Sequence, residues 1–343
     1  MAILSSEDLK GVAVNGLINE DVMQKIWDIS KVPLPLTDMI GTDSHKNEYY
    51  EWTQDSLAAP SLTNAVVDGV DITAAAGLTA SAARVGNHSQ TSVKSVNVST
   101  RAIESDTIGR QNELSYQVMM RQQELKRDVE ATMLSNKPSV APVADTTAGQ
   151  SGGLNAWLET NVDFGTGGSA GGYNTSTGVV DAATVGTAEA LTETKVRDVA
   201  ESIYENGGNP TVMMMVPSVC RKFSEYLFSS SARIATLTSE TGQSEGGATA
   251  KGSVNVFVTD FGVTLDLVPN RIQQNYTTDE SSAFLLDPQH LRLSYLHAPR
   301  VEPLAKTGLS EKRLMSCDWT LVVTTEKAHG LICSIDNTAA VTA

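Results

Sequence analysis

Leu114, Val118, Leu125 and Val129 recur at helical spacing and fall within one narrow wedge at 100° per residue, with Met133 at its edge. Arg121, Glu124, Arg127, Asp128 and Glu130 occupy the other faces; Arg127 and Glu130 are three apart, Lys126 and Glu130 four apart. The spacing predicts one uninterrupted helix over 104–135, rising about 45 Å. It is expected to bury one side against a sheet and leave its back to solvent or other subunits. A clean heptad fails at Gln111, Ser115 and Thr132, which argues against a coiled coil.

Other stretches carry shorter signals. "NEDVMQKIWDIS" aligns Val22, Ile26 and Ile29 on one face before "KVPLPLTDMIG" breaks the pattern with two prolines, so residues 1–45 read as an arm. "NEYYEWTQDSL" (47–57) alternates, with Tyr50 and Trp52 on one side and Glu51, Thr53 and Asp55 on the other. "TSVKSVNVST" (91–100) puts Val96 and Val98 in phase. Between these runs lie small and polar residues, so 46–100 is read as one long two-stranded excursion. A lone hairpin is marginal in water, and Tyr50, Trp52, Val96 and Val98 are the candidates for lying along a neighbouring subunit.

Further on, "GLNAWLETNV" suggests a short helix around Trp157, and "GTGGSAGGYNTSTG" (165–178) a flexible surface loop. Thr192 is a plausible N-cap for a helix burying Val196, Val199, Ala200, Ile203 and Tyr204, which stops at Asn206, Gly207, Gly208 and Pro210. "TVMMMV" reads as a fully buried strand, and Pro217 opens a second helix. Strands follow at "SVNVFVTD", "VTLDLVP" and "AFLLD". Three extended runs close the chain, with turns at Gly308 and near His329. Their apolar side, around "DWTLVV", is expected to pack on the long helix.

The composition sharpens this picture. Of 343 residues 41% are hydrophobic, 19% charged and only 5% aromatic, modest material for cores along the whole length. The formal charge is -15, from 40 acidic and 25 basic residues. That balance repels phosphate backbones and anionic membranes and argues against a sequence-reading DNA binder. Cys220, Cys317 and Cys333 are dispersed and form no CxxC pair. "MAILSSEDLKG" lacks the basic and apolar regions of a secretory signal. No run approaches the ~18 apolar residues of a membrane span.

No catalytic pattern emerges. His45, His88, His290, His297 and His329 are scattered, without HExxH or a Cys/His quartet. The glycines at 165–178 lack the Lys-Ser/Thr and the strand–helix frame of a phosphate loop. "DPQH" (287–290) reads as a turn between strands rather than a charge relay. No catalytic residue, cofactor or metal is expected.

In order, the elements are an arm, an excursion, a long helix, a small α/β domain and returning strands. This order resembles the major capsid proteins of tailed bacteriophages, the Hong-Kong-97-type fold. Residues 83–134, "ARVGNHSQTSVKSVNVSTRAIESDTIGRQNELSYQVMMRQQELKRDVEATML", look like one branch of that family, with a Gly-Asn-x-x-Gln element and a Val-Ser element before a QxxxRxxELKRDxE helix. "EKAHGLI" (326–332) is similar to the branch's closing strand. The resemblance implies an α+β fold with an N-terminal arm (1–45), an E-loop (46–100) and a P domain (101–190) holding the spine helix. An A domain (191–296) and P-domain return strands (297–343) complete it. Leu114, Val118, Leu125 and Val129 would be the spine helix's core face. It further implies a structural protein made in the bacterial cytoplasm and found in the virion. Hexamers and pentamers of it would form an icosahedral head around double-stranded DNA, with scaffolding, portal and decoration proteins as partners and no membrane. The chain shows no long cleavable scaffolding segment, so a separate scaffold, or the arm itself, is expected to serve. A tail or adhesin component is the rival reading, an α/β enzyme with an unrecognised site the third.

Overall fold

The computed structural model of the chain describes residues 33–339 apart from 56, 58, 61, 64, 66, 70–81, 106–111, 223–255 and 274–279. The amphipathic piece at 19–30 lies outside the described residues. Two compact units are present. In one, the described residues fall within Lys94–Gln123 and Val301–Met315; the other comprises Pro33–Val93, Glu124–Arg300 and the chain from Ser316 on.

In the larger unit, Pro35 opens a short helix, α1 (Pro35–Met39), instead of only breaking one. A proline costs nothing at a first-turn position, where no intrahelical donor is needed. Strand β1 (Gly41–Ser44) follows, then β2 (Tyr49–Gln54), β3 (Ala83–His88) and β4 (Gln90–Ser99). The partner of β2 is β3, in register Tyr50↔Asn87 and Trp52↔Val85. The sequence pattern had assigned that place to 91–100. The hydrogen-bonding strand is instead "ARVGNH", whose alternation is blurred by Gly86 and Asn87. The 91–100 run belongs to β4, which lies in a different, four-stranded sheet.

The smaller unit contains the end of β4, where Val96 and Val98 are 5% and 9% exposed. Ser99 then accepts the Ala102 amide (3.2 Å) and caps α2 (Thr100–Glu104), which ends at an extended Ser105. Asn112 Oδ1 accepts the Ser115 amide (3.1 Å) and starts the main helix, α3 (Glu113–Met133), of 21 residues. The uninterrupted helix expected over 104–135 is therefore corrected: Glu104 ends α2, Ser105 is extended, residues 106–111 lie outside the described residues, and the long helix runs from Glu113 to Met133. "SDTIGRQN" supplies side chains that bond locally to backbone, plus a glycine, and both disfavour helix continuation. Within this unit the Thr100 amide also bonds the Leu309 carbonyl (3.0 Å).

The rest of the larger unit begins with α4 (Leu154–Trp157), β5 (Val162–Asp163) and a small hairpin of β6 (Gly172–Asn174) and β7 (Val179–Asp181). This hairpin replaces the flexible loop expected for 165–178. Helix α5 (Glu193–Glu205), capped by Thr192, buries Val196, Val199, Ala200 and Ile203, while Tyr204 turns outward. Strand β8 (Val212–Met215) is wholly buried, and 217–222 are helical from Pro217. Next come β9 (Val256–Val258), β10 (Thr264–Pro269), β11 (Glu280–Leu286), β12 (Leu291–Pro303), β13 (Ser310–Val323) and β14 (Gly330–Asp336).

A six-stranded sheet runs β5-β14-β11-β8-β10-β9, with β8 parallel to β10 and antiparallel to β11. Met213 and Met215 pack with α5, Leu265, Leu285, Ile332 and Ile335. Burial of β8 on both faces explains why it reads as one apolar run without alternation. Strand β14 thus joins the sheet of β8, whereas its sequence position had suggested a return to the long helix. The other large sheet runs β1-β12-β13-β4, with β1 parallel to β12. No helix among the described residues is long and apolar enough to cross a membrane.

Candidate functional site

The excursion grows from the β2–β3 pair, and its root is held by the chain itself. Tyr50, Trp52, Val85 and Asn87 share one face, which looks inward. The Trp52 ring lies 5.4 Å from Trp157, and Tyr50 lies 5.3 Å from His45. Trp157 stacks on Tyr173 at 5.9 Å, and Tyr173 Oη hydrogen-bonds Tyr49 Oη (2.9 Å). Tyr50 and Trp52, expected to face a neighbouring subunit, are therefore half-buried against their own chain. Val96 and Val98 offer little free surface either, at 5% and 9% exposure. Alternation located the apolar side of each strand but could not say whose core that side enters.

What the excursion does display is Leu57, Leu62 and Val67, at 99%, 98% and 78% exposure. In the sequence these residues carry no periodic signal, since Leu57 and Leu62 stand singly among small and polar residues and Val67 follows only Val66. On the other face of the root, Glu51 and Arg84 form a loose ion pair (3.7 Å). Residues from both faces, among them Lys46, Glu51, Trp52 and Arg84, line an open groove of about 460 Å³.

The long helix buries Leu125, Val129 and Met133, while Leu114 and Val118 are only partly covered. Glu130, assigned by its spacing to a solvated face, is fully buried. Its carboxylate accepts the amides of Leu36 and Thr37, the Thr37 hydroxyl and the Asn270 side-chain amide.

The polar groups that could suggest catalysis are structural. His45 bridges Ser294 (Nδ1, 2.9 Å) and Ser89 (Nε2, 2.7 Å), but all three are buried, and burial lowers the imidazole's pKa. "DPQH" forms a single turn of 3-10 helix in which Asp287 accepts the Gln289 amide (3.0 Å). His329 is held neutral by burial, its pKa pushed down to about 3, and its Nδ1 accepts the Asp287 amide (3.2 Å). No group of three potential metal ligands occurs among the described residues.

Residues 7–336 match the SU10 major capsid protein family. The chain belongs to that family. Its fold is shared by the capsid of a native GTA particle (12% identity, 94% of this chain and 98% of that chain covered, TM-score 0.59). The holo-SrpI encapsulin complex from Synechococcus elongatus PCC 7942 is similar (12%, 95% and 96%, 0.57). So is the capsid of cyanophage P-SCSP1u (14%, 92% and 93%, 0.55). At such identities these likenesses are of fold alone. No curated protein matches the sequence. The α+β architecture is thus the Hong-Kong-97 type, and this is a structural major capsid protein rather than an enzyme, a tail component or an adhesin.

The capsid-family motifs now have physical reasons. Gly86 is required because an added Cβ would sit 2.6 Å from the Tyr49 ring. Asn87 accepts the Gly152 amide (2.9 Å) and donates to Ser151 Oγ (3.1 Å) and the Leu321 carbonyl (2.9 Å), while Gln90 accepts the Ser151 amide (3.4 Å). The Gly-Asn-x-x-Gln element therefore pins the hairpin root to the Ser151–Gly152 turn and β13. In "EKAHGLI", Glu326 accepts the Thr160 amide (3.2 Å), and a Cβ at Gly330 would meet Val199 and Ile203 at 2.6 and 2.7 Å. That glycine lets α5 lie close on β14.

Proposed function

We propose that this capsid protein assembles into hexamers and pentamers that close as an icosahedral head around double-stranded DNA. The excursion within residues 46–100, rooted in β2 and β3, acts as the E-loop that clamps a neighbouring subunit. The spine helix of the P domain (101–190 and 297–343) is α3, and residues 191–296 are the A domain. The observation that carries the reading is the excursion: a root bolted to its own body by Asn87 and the aromatic pile, and, following β2, Leu57, Leu62 and Val67 with almost no cover. Each fully exposed leucine gains about 1.5–3 kcal/mol on burial, so a ring of neighbours taking up these residues stabilises the capsomer. The net charge of -15 suits an inner wall that must not grip phosphate. Scaffolding, portal and decoration proteins are the expected partners, with synthesis in the host cytoplasm. Light scattering and negative-stain imaging of the purified chain, with and without phage scaffold, test this. Rings of five and six or closed shells are expected. A monodisperse monomer at high concentration under both conditions contradicts it.

A further inference from the structure

Glu130 is a carboxylate sealed in the larger unit, and its described hydrogen-bond donors are all neutral. They are Leu36 N (3.4 Å), Thr37 N (3.3 Å), Thr37 Oγ1 (2.9 Å) and Asn270 Nδ2 (2.7 Å). An isolated buried charge is costly, so the site is tenable only with these bonds made. They join three distant parts of the chain: α1, the C-terminal half of α3, and the end of β10. Asn270 is itself fixed, its amide bonding the Met215 carbonyl (2.8 Å) and its Oδ1 accepting the Ile272 amide (2.8 Å). The fully buried Leu36 is the apolar anchor of α1, and the Asp38 and Ile40 amides close the helical turn on Leu34 and Leu36. Remove the carboxylate, and α1 loses all three of its described bonds to the long helix, keeping the buried Leu36 and Ile40, two internal bonds and the β1–β12 pairing that begins at Gly41. A five-residue helix has little stability of its own.

We propose that Glu130 is a buried latch that seats α1, residues 35–39, on the long helix within the larger unit, independently of the stability of the rest of that unit. Amide hydrogen exchange on the full-length chain reads this directly. In Glu130→Ala, protection in a peptide spanning residues 33–41 falls by about 30-fold or more, about 30-fold being the factor that the two lost amide bonds of Leu36 and Thr37 represent before the Thr37 hydroxyl bond is added. Peptides covering α5 and β8 change by less than about 3-fold. Glu130→Gln retains one carbonyl acceptor for the Thr37 donors and rescues part of the protection. Thr37→Val, which deletes only the hydroxyl donor at the edge of the site, gives a smaller loss confined to the same peptide; it decides the matter if Glu130→Ala does not fold. Unchanged protection at 33–41 in the variant that folds, or an equal loss at α5 and β8, overturns the latch. Shell formation by the same variants is the second readout, and only this arm rests on the capsid reading. If wild type makes no shells, the capsid reading has failed and the exchange result still stands. If wild type assembles and Glu130→Ala stays a folded monomer, the latch governs assembly as well; wild-type-like shells despite lost protection overturn its role in assembly.

Discussion

Single side chains in this protein act mainly as staples between segments far apart in sequence, and Glu189 shows how such a staple responds to pH. Its carboxylate accepts Lys195 Nζ (2.6 Å) and both the Thr166 amide (2.9 Å) and hydroxyl (2.7 Å), while Lys195 also reaches Asp163 (3.0 Å). The Lys195 hydrogen bond, then the Thr166 bonds, hold its pKa down to about 2 from an ordinary 4.5. Because the folded value is depressed, the unfolded chain takes up a proton first as the solution acidifies. The stabilisation is therefore complete above pH 4.5 and lost as pH falls to about 2. Glu189→Gln is expected to unfold at lower urea than wild type at pH 7, with the gap closing between about pH 4.5 and 2. A gap of constant size from pH 7 to pH 2.5 would show that the ion pair is not its source.

At the scale of elements, the long helix supplies a graded test. Leu125 is buried, whereas Lys126 beside it is exposed. Leu125→Asp seals an unpaired carboxylate in the core and is expected to cost more than about 4 kcal/mol, yielding insoluble protein. Lys126→Asp is expected to stay within about 0.5 kcal/mol, and half-buried Val118→Asp to fall between. Chemical denaturation of whatever remains soluble ranks the three, and equal damage at Leu125 and Lys126 would mean the buried face is misassigned. This helix and α5 were legible from helical spacing, and β8 from an unbroken apolar run that is buried on both faces. The break at Ser105 was less so, since local capping by Ser99 and Asn112 competed with an otherwise continuous stripe. The hairpin partner was misread because β3 owes its place to Gly86 and Asn87, a close contact and a buried amide, neither of which leaves a hydrophobic pattern. Glu130 was read as solvated for the same reason: spacing gives a residue's angle on the helix, not the distant donors waiting there.

For the whole molecule, order of elements and family membership agree on a capsid subunit, and the central claim is that the excursion clamps neighbouring subunits without supporting its own fold. The root must be kept in any test, because β3 carries the buried Val85 and Asn87. Bridging Leu57 to Thr91 would delete that strand and damage the core. The direct measurement joins Asp55 to Ala82 through a short Gly-Ser turn, which removes Leu57, Leu62 and Val67 and leaves the β2–β3 register intact. Thermal unfolding and negative-stain imaging are then compared with the full-length chain under conditions in which the latter assembles. The account predicts a soluble subunit whose midpoint stays within about 3 °C of the unassembled full-length subunit and which forms no closed shells. Closed shells built from the shortened chain, or a chain that no longer folds, would contradict it.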